Sequence, residues 1–162
     1  MSRVSQKALT ADQALSIDKN GVFRHEGVEI THPGTLDLFF KSLESDEKGG
    51  YLVRVGREWA PVRVEDTPFA VRSVREYNDS LRIILNDGTE EKLESRTLEV
   101  GAENVLYCRV KDGRFPARFL RPAYYQIAQH IRPSETGGFD LVIAGKRFAV
   151  DSRQSPAEPE AG

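Results

Sequence analysis

Gly49-Gly50-Tyr51-Leu52-Val53-Arg54-Val55-Gly56-Arg57-Glu58-Trp59-Ala60 decides how this chain is read, because the chain writes something close to it twice. The second version is Gly138-Phe139-Asp140-Leu141-Val142-Ile143-Ala144-Gly145-Lys146-Arg147-Phe148-Ala149, and from Gly49 to Gly138 the displacement is 89. Carried backward, the same displacement lays Pro33 on Pro122, each at the start of a helix-like segment. Between 33–61 and 122–150, seven of 29 positions are identical, among them one proline pair and two glycine pairs. Proline and glycine are the residues that most constrain or free the backbone. A duplicated structural unit is the expectation.

Working outward, Thr31-His32-Pro33 opens a helix, with threonine able to cap free amides and proline tolerated in the first turn. Leu36, Phe39, Phe40 and Leu43 then fall at i, i+3, i+4 and i+7, one apolar face. Lys48-Gly49-Gly50 ends it. In the second copy Arg121-Pro122 opens the helix, and its apolar quartet is Tyr124, Ile127, Ala128 and Ile131. That quartet lies 88 residues after the first, so the repeat slips by one inside the helix. Short strands flank both helices: 22–24 and 28–30, 51–55 and 59–64, 105–110 and 115–119, 141–144 and 147–150. Between the copies, 69–76, 81–85, 89–93 and 97–100 read as further strands, with Asn86-Asp87-Gly88 the strongest hairpin signal in the chain. Trp59 and Phe148 share a repeat position and are expected to seal the cores of their own units.

The fold class that follows is α+β: two similar β-hairpin–helix–β-hairpin units packed together, with extra antiparallel strands between them. Residues 1–16 form a flexible lead-in, 17–64 the first unit, 65–151 the second with its added strands, and 152–162 a disordered tail. One helix on a few strands buries little by itself. The two units are therefore expected to pack, and pockets form preferentially between packed units.

The 162 residues are 39% apolar and 30% charged, with a net charge of −2, an ordinary globular balance. A basic excess that would release counterions from phosphate is missing, so no nucleic-acid partner is expected. Cys108 is the one cysteine, which excludes an intramolecular disulfide and gives no metal-ligand spacing. No apolar run reaches the roughly 20 residues of a membrane helix, and the first seven residues lack the apolar core of a signal peptide. A soluble, cytoplasmic protein with no membrane partner follows.

At His25-Glu26-Gly27-Val28-Glu29-Ile30, Glu58-Trp59, Val64-Glu65-Asp66-Thr67-Pro68-Phe69 and Val110-Lys111-Asp112-Gly113 the chain resembles the bacterial domain-of-unknown-function family 1285. That family has a glycine–aromatic–His-Glu-Gly start, a Val-Glu-Asp-x-Pro-Phe centre, and a Val-Arg-Asp-Gly turn followed by an Arg-x-x-Tyr-Tyr-like helix. The match spans about 17–150, and 64–69 is its most specific part. Phe23 lacks the larger aromatic residue that often precedes it, Lys111 replaces an arginine, and Arg121-Pro122 replaces Arg-Ser. The resemblance implies an internally duplicated α+β protein whose C-terminal part is loosely like a pleckstrin-homology barrel. It implies a ligand-binding or signalling role with the site at the junction of the halves, and no established activity.

For the site, Glu26, Glu65, Asp66, Arg109, Asp112, Arg121 and Tyr124 are the expected ligand-binding residues at the junction. Glu65-Asp66 offer two adjacent carboxylates, which could share a proton or hold a cation; before Thr-Pro they equally suit capping of turn amides. His25, His32 and His130 lack partners at ligand spacing. Cys108, on an apolar strand face, reads as inert packing. No nucleophile elbow, phosphate loop or dinucleotide fingerprint occurs. The expectation is a non-enzymatic binding or signalling module without cofactor or metal, its partner an unidentified small molecule or protein. The alternatives are a hydrolase-type enzyme using Glu65 and Asp66, or an interaction subunit working through sheet edges.

Overall fold

The computed structural model describes residues 14–153. Most of the expected lead-in over 1–16 and tail over 152–162 lies outside the described residues. The chain divides into two compact units, Met1–Pro68 and Phe69–Gly162. Residues 65–68 thus go with the first unit, where the Glu65 amide donates to the Ile17 carbonyl at 2.9 Å.

The first unit runs β1 (Leu15–Ile17), β2 (Phe23–His25), β3 (Val28–Glu29), α1 (Pro33–Lys41), β4 (Leu43–Ser45), β5 (Tyr51–Val55) and β6 (Glu58–Val64). Its sheet order is β3-β2-β1-β6-β5-β4. β1 and β6 are parallel and the other neighbours antiparallel. Pro33 sits in the first turn of α1 as expected, but the cap is His32, whose Nδ1 accepts the Thr35 amide at 3.1 Å. The core gathers Ile17, Phe23, Phe40, Leu43, Val53 and Val62. Phe23 meets Phe40 edge-on at 5.2 Å between ring centroids, and Phe39 at 5.6 Å.

The second unit begins with the antiparallel β7 (Phe69–Tyr77), β8 (Ser80–Leu85) and β9 (Glu90–Lys92). It continues through β10 (Glu99–Val100), β11 (Leu106–Val110), β12 (Phe115–Phe119), α2 (Arg121–Ala128), β13 (Ile131–Pro133), β14 (Phe139–Ile143) and β15 (Lys146–Ser152). Single 3₁₀ turns at Ser95–Thr97 and Ala102–Asn104 flank β10, so of the expected strand over 97–100 Glu99 and Val100 are strand while Thr97 ends a 3₁₀ turn. Strand order is β13-β14-β15-β10-β11-β12-β7-β8-β9. The helix α2 packs on β7, where the Gln126 Oε1 accepts the Val74 amide at 2.6 Å.

Taken from β12 to β13, the strands β12-β11-β10-β15-β14-β13 repeat the order β3-β2-β1-β6-β5-β4, including the parallel pair at the centre. The backbone hydrogen bonds repeat as well. Arg54 donates to Ser42 and Val142 to His130; Asp46 donates to Gly50 and Ser134 to Gly138; Leu36 donates to His32 and Tyr124 to Leu120. Each of these pairs is 88 residues apart, so the register of the repeat from the helix onward is 88, and the displacement of 89 is corrected by one. The physical reason lies in the turns. In the β5–β6 turn only Gly56, the first of two residues, has a positive φ, 64°. In the β14–β15 turn both Ala144 and Gly145 do, at 51° and 82°. Hairpin turns with one or two left-handed positions place glycine differently, so aligning Gly56 with Gly145 matched turn chemistry and not strand position. Upstream of the helices the spacing is 83: Ile17 matches Val100 and Phe23 matches Leu106, each pair facing across the antiparallel partner.

Three further corrections follow. Each copy has six strands around its helix, since β1 and β10 precede the first hairpin and β4 and β13 follow the helix directly. Leu43 and Ile131 are therefore strand residues and not the last members of helical faces. Trp59 matches Arg147, and Phe148 matches Ala60; a slip of one residue exchanges the faces of a strand. Trp59 accordingly lies outward, 40% exposed, and does not seal the core.

Candidate functional site

The seven expected site residues divide between the units, with Glu26, Glu65 and Asp66 in the first and the rest in the second. Within the first unit Glu26 and Glu65 lie at opposite ends of β1. The Glu26 amide donates to Ala14, before the strand, while the Glu65 amide donates to Ile17 at its other end. The Glu65 carboxylate accepts the Lys19 amide at 2.9 Å, tying the β1–β2 turn to the end of β6. Asp66 is half-buried beside it in sequence, and Glu26 is exposed in a left-handed turn position.

In the second unit Arg109, near the end of β11, and Asp112, in the β11–β12 turn, lie close together in sequence. The Arg109 guanidinium donates twice to the Gly113 carbonyl, at 3.2 and 3.1 Å, and folds over that turn. Arg121 and Tyr124 lie past the other end of β12, on α2. Five residues of strand, roughly 17 Å, separate the two pairs. Arg121 is exposed; Tyr124 is half-buried and lines an apolar hollow under α2.

A polar depression of about 600 Å³ lies on the second unit, lined by Thr97, Glu99, Tyr107, Arg109, Asp151 and Arg153 together with Cys108, Pro116 and Ser152. Strand register builds it. Glu99 stands opposite Tyr107 on β11 and Asp151 on β15, which puts all three side chains on one face of adjacent strands. The Arg153 guanidinium lies 3.9 Å from the Tyr107 ring centroid, and its Nε is 3.9 Å from a Glu99 carboxylate oxygen. Gly101 makes the arrangement possible: a Cβ there would stand 2.8 Å from Tyr107 Cε2.

The corresponding corner of the first unit is filled with mutually satisfied polar groups. Asp18 holds the place of Gly101, Arg24 that of Tyr107 and Glu65 that of Arg153. Asp18 accepts the Asn20 and Val22 amides at 2.9 and 3.0 Å and the Arg24 guanidinium at 3.3 Å. One copy thus locks its corner shut, while the other leaves an aromatic–guanidinium stack beside open space. Of the expected residues only Arg109 lines the depression. Thr97, Glu99, Tyr107, Asp151 and Arg153 were missed in sequence, and comparison of the copies at the correct register is the signal that finds them.

Burial, with the nearby Glu91 charge, pushes the Cys108 thiol far above its ordinary range, which supports inert packing. Lys111 is structural: its Nζ pairs with Asp87 at 2.8 Å, donates to Thr89 at 3.0 Å and lies 5.2 Å from the Phe69 ring centroid. Burial raises the Asp87 carboxyl, but hydrogen bonds from Lys111 and Thr89 more than offset this and hold it below its ordinary value. Among the described residues no group of three or more His, Cys, Asp or Glu side chains is placed to hold a metal ion, and no helix is long and apolar enough to cross a membrane.

No family model matches the chain, and neither does any curated protein. Among solved structures, it is similar to a DUF1285 family protein from Silicibacter pomeroyi DSS-3, with a TM-score of 0.69 and 20% identity over 85% of this chain and 79% of that one. It is also similar to a DUF1285 family protein from Shewanella baltica OS155, with a TM-score of 0.61 and 18% identity over 72% of this chain and 91% of that one. The fold is shared with these proteins, and the resemblance read from 64–69 and its companion motifs is supported.

Proposed function

We propose that the protein is a ligand-binding module whose seat lies in the second unit, over β10, β11 and β15. The observation that carries this reading is the Tyr107–Arg153 stack at Gly101, set in a depression of about 600 Å³ where the first copy has a closed polar lock. That volume is within the range of small-molecule sites. Two cations, Arg109 and Arg153, and two anions, Glu99 and Asp151, line it, with Thr97 beside them. Balanced charge of this kind suits a small zwitterion, its carboxylate taken by a guanidinium and its ammonium by a carboxylate. A signalling role would follow if the bound state is passed to a protein partner.

The test is isothermal titration calorimetry with the free amino acids as probes, on the wild type, Arg153→Ala and Asp151→Asn. Saturable heat with one or more amino acids, reduced at least tenfold in affinity by either substitution, is expected. Absence of binding to all of them, or binding indifferent to both substitutions, would overturn the reading.

A further inference from the structure

The second unit has another opening, on the opposite face of the same strands. It is an apolar hollow of about 210 Å³ roofed by Tyr124 and Ala128 of α2. Its other walls are Val100, Leu106, Ile131, Phe139 and Val150, one from each of five strands, with Asn104 from the turn before β11. At the spacings set by the backbone, these strand positions are those of Ile17, Phe23, Leu43, Tyr51 and Val62. Four of them, all but half-buried Tyr51, belong to the buried core of the first unit. The hollow is therefore the place where a duplicated core would be.

Two substitutions between the copies account for it. Phe23 becomes Leu106, and Phe40 becomes Ala128. In the first copy those two rings meet edge-on at 5.2 Å and fill the space, and Phe40 is 7% exposed. In the second copy Ala128 is exposed, and the helix buries Ala123 and Ile127 instead, the positions of half-buried Thr35 and Phe39. Helix α2 takes this seating while leaning on β7, a strand without counterpart in the first copy. Exposed Ala128 and Phe139, the latter 55% exposed, mark the mouth.

We infer that this hollow is a binding site for a small molecule carrying one compact apolar ring, which takes the place that the Phe40 ring holds in the first copy. An apolar cavity of about 150 Å³ lined by aliphatic and aromatic side chains stays dry and binds benzene. One of 210 Å³, lined mainly by aliphatic and aromatic side chains, accepts a single ring with a short substituent. Asn104 and Tyr124, the polar residues of the lining, suit a hydroxyl or carbonyl on that ring. This site is independent of the polar depression, since Val100 and Leu106 point away from the face that carries Glu99 and Tyr107.

The experiment is titration of the full chain with benzene, followed by ¹³C-methyl correlation spectra. Saturable shifts are expected at the methyls of Val100, Leu106, Ile131 and Val150, while those of the matching Ile17, Leu43 and Val62 stay still. Ala128→Phe restores the ring of the first copy and should abolish the shifts, or weaken binding at least tenfold. Leu106→Phe is the second variant, built from the other side of the hollow, with the same outcome expected; a folded methyl spectrum qualifies either one. Shifts that do not saturate, that appear equally in the first copy, or that persist in a folded ring-filled variant would overturn the inference.

Discussion

Replacing Phe40 by alanine should open in the first copy the hollow that the second copy already has. Phe40 is 7% exposed and packs edge-on against Phe23 at 5.2 Å. Burying such a side chain is worth about 1.5–3 kcal/mol, and a well-placed aromatic pair adds about 0.5–1.5 kcal/mol. The sum, about 2–4.5 kcal/mol, overlaps the roughly 3–5 kcal/mol seen when phenylalanine is truncated in a core. About 3–4 kcal/mol is therefore expected for Phe40→Ala. Trp59, the only tryptophan, lies on β6 of the first unit and reports on that unit by its fluorescence. With a urea slope of about 1.5–2 kcal/mol per molar, the midpoint should fall by roughly 2 M. A shift below about 0.5 M would refute the reasoning, since it would mean that the Phe40 ring does not fill the first core. The reverse substitution at the matching position of the second copy, Ala128→Phe, should by contrast leave urea stability within about 1 kcal/mol, because the added ring enters open volume rather than a packed core.

Asp87 carries a pH dependence. Its carboxyl titrates below the unfolded value of about 3.9, so its contribution to stability is present above that pH and is lost as pH falls through the folded value. Asp87→Asn should cost about 1–2 kcal/mol at pH 7, between an exposed and a buried ion pair, and the difference from wild type should close in urea titrations carried below about pH 4. A difference that stays constant with pH would contradict the Lys111 pairing as its source. Cys108 should resist iodoacetamide in the native protein and react on unfolding, because the thiol is buried and held protonated; modification at the rate of a free thiol in the native state would contradict that burial.

Much of the architecture could be read from residue order, and the errors have identifiable physical sources. Pro33 and Pro122 marked both helix starts, and Asn86-Asp87-Gly88 marked the β8–β9 turn, because each residue type there restricts the backbone locally. The strands β4 and β13 were hidden because Leu43 and Ile131 continue the helical spacing of the apolar residues before them; three-residue strands held by cross-strand bonds from Arg54 and Val142 leave no periodicity of their own. The displacement of 89 rested on glycines, and glycine position follows turn type. That one-residue error put Trp59 on the wrong face, although the apolar helix quartets already paired Phe40 with Ala128 at 88; the pairing of Asp18 with Gly101 needs the separate spacing of 83 that holds upstream of the helices. The polar depression escaped for a different reason: Glu99, Tyr107 and Arg153 lie far apart in sequence and meet only through the pairing of β10 with β11 and β15. Arg109 was found, though by its charge at a turn and not by that register.

The central claim is that one backbone pattern occurs twice, closed in the first copy and open in the second. Its most direct test is a crystal structure determined under xenon pressure, since xenon enters dry apolar cavities. Xenon density is predicted beside Leu106 and Ala128, with none beside Phe23 and Phe40. No density in the second copy, or equal density in both, would contradict the account.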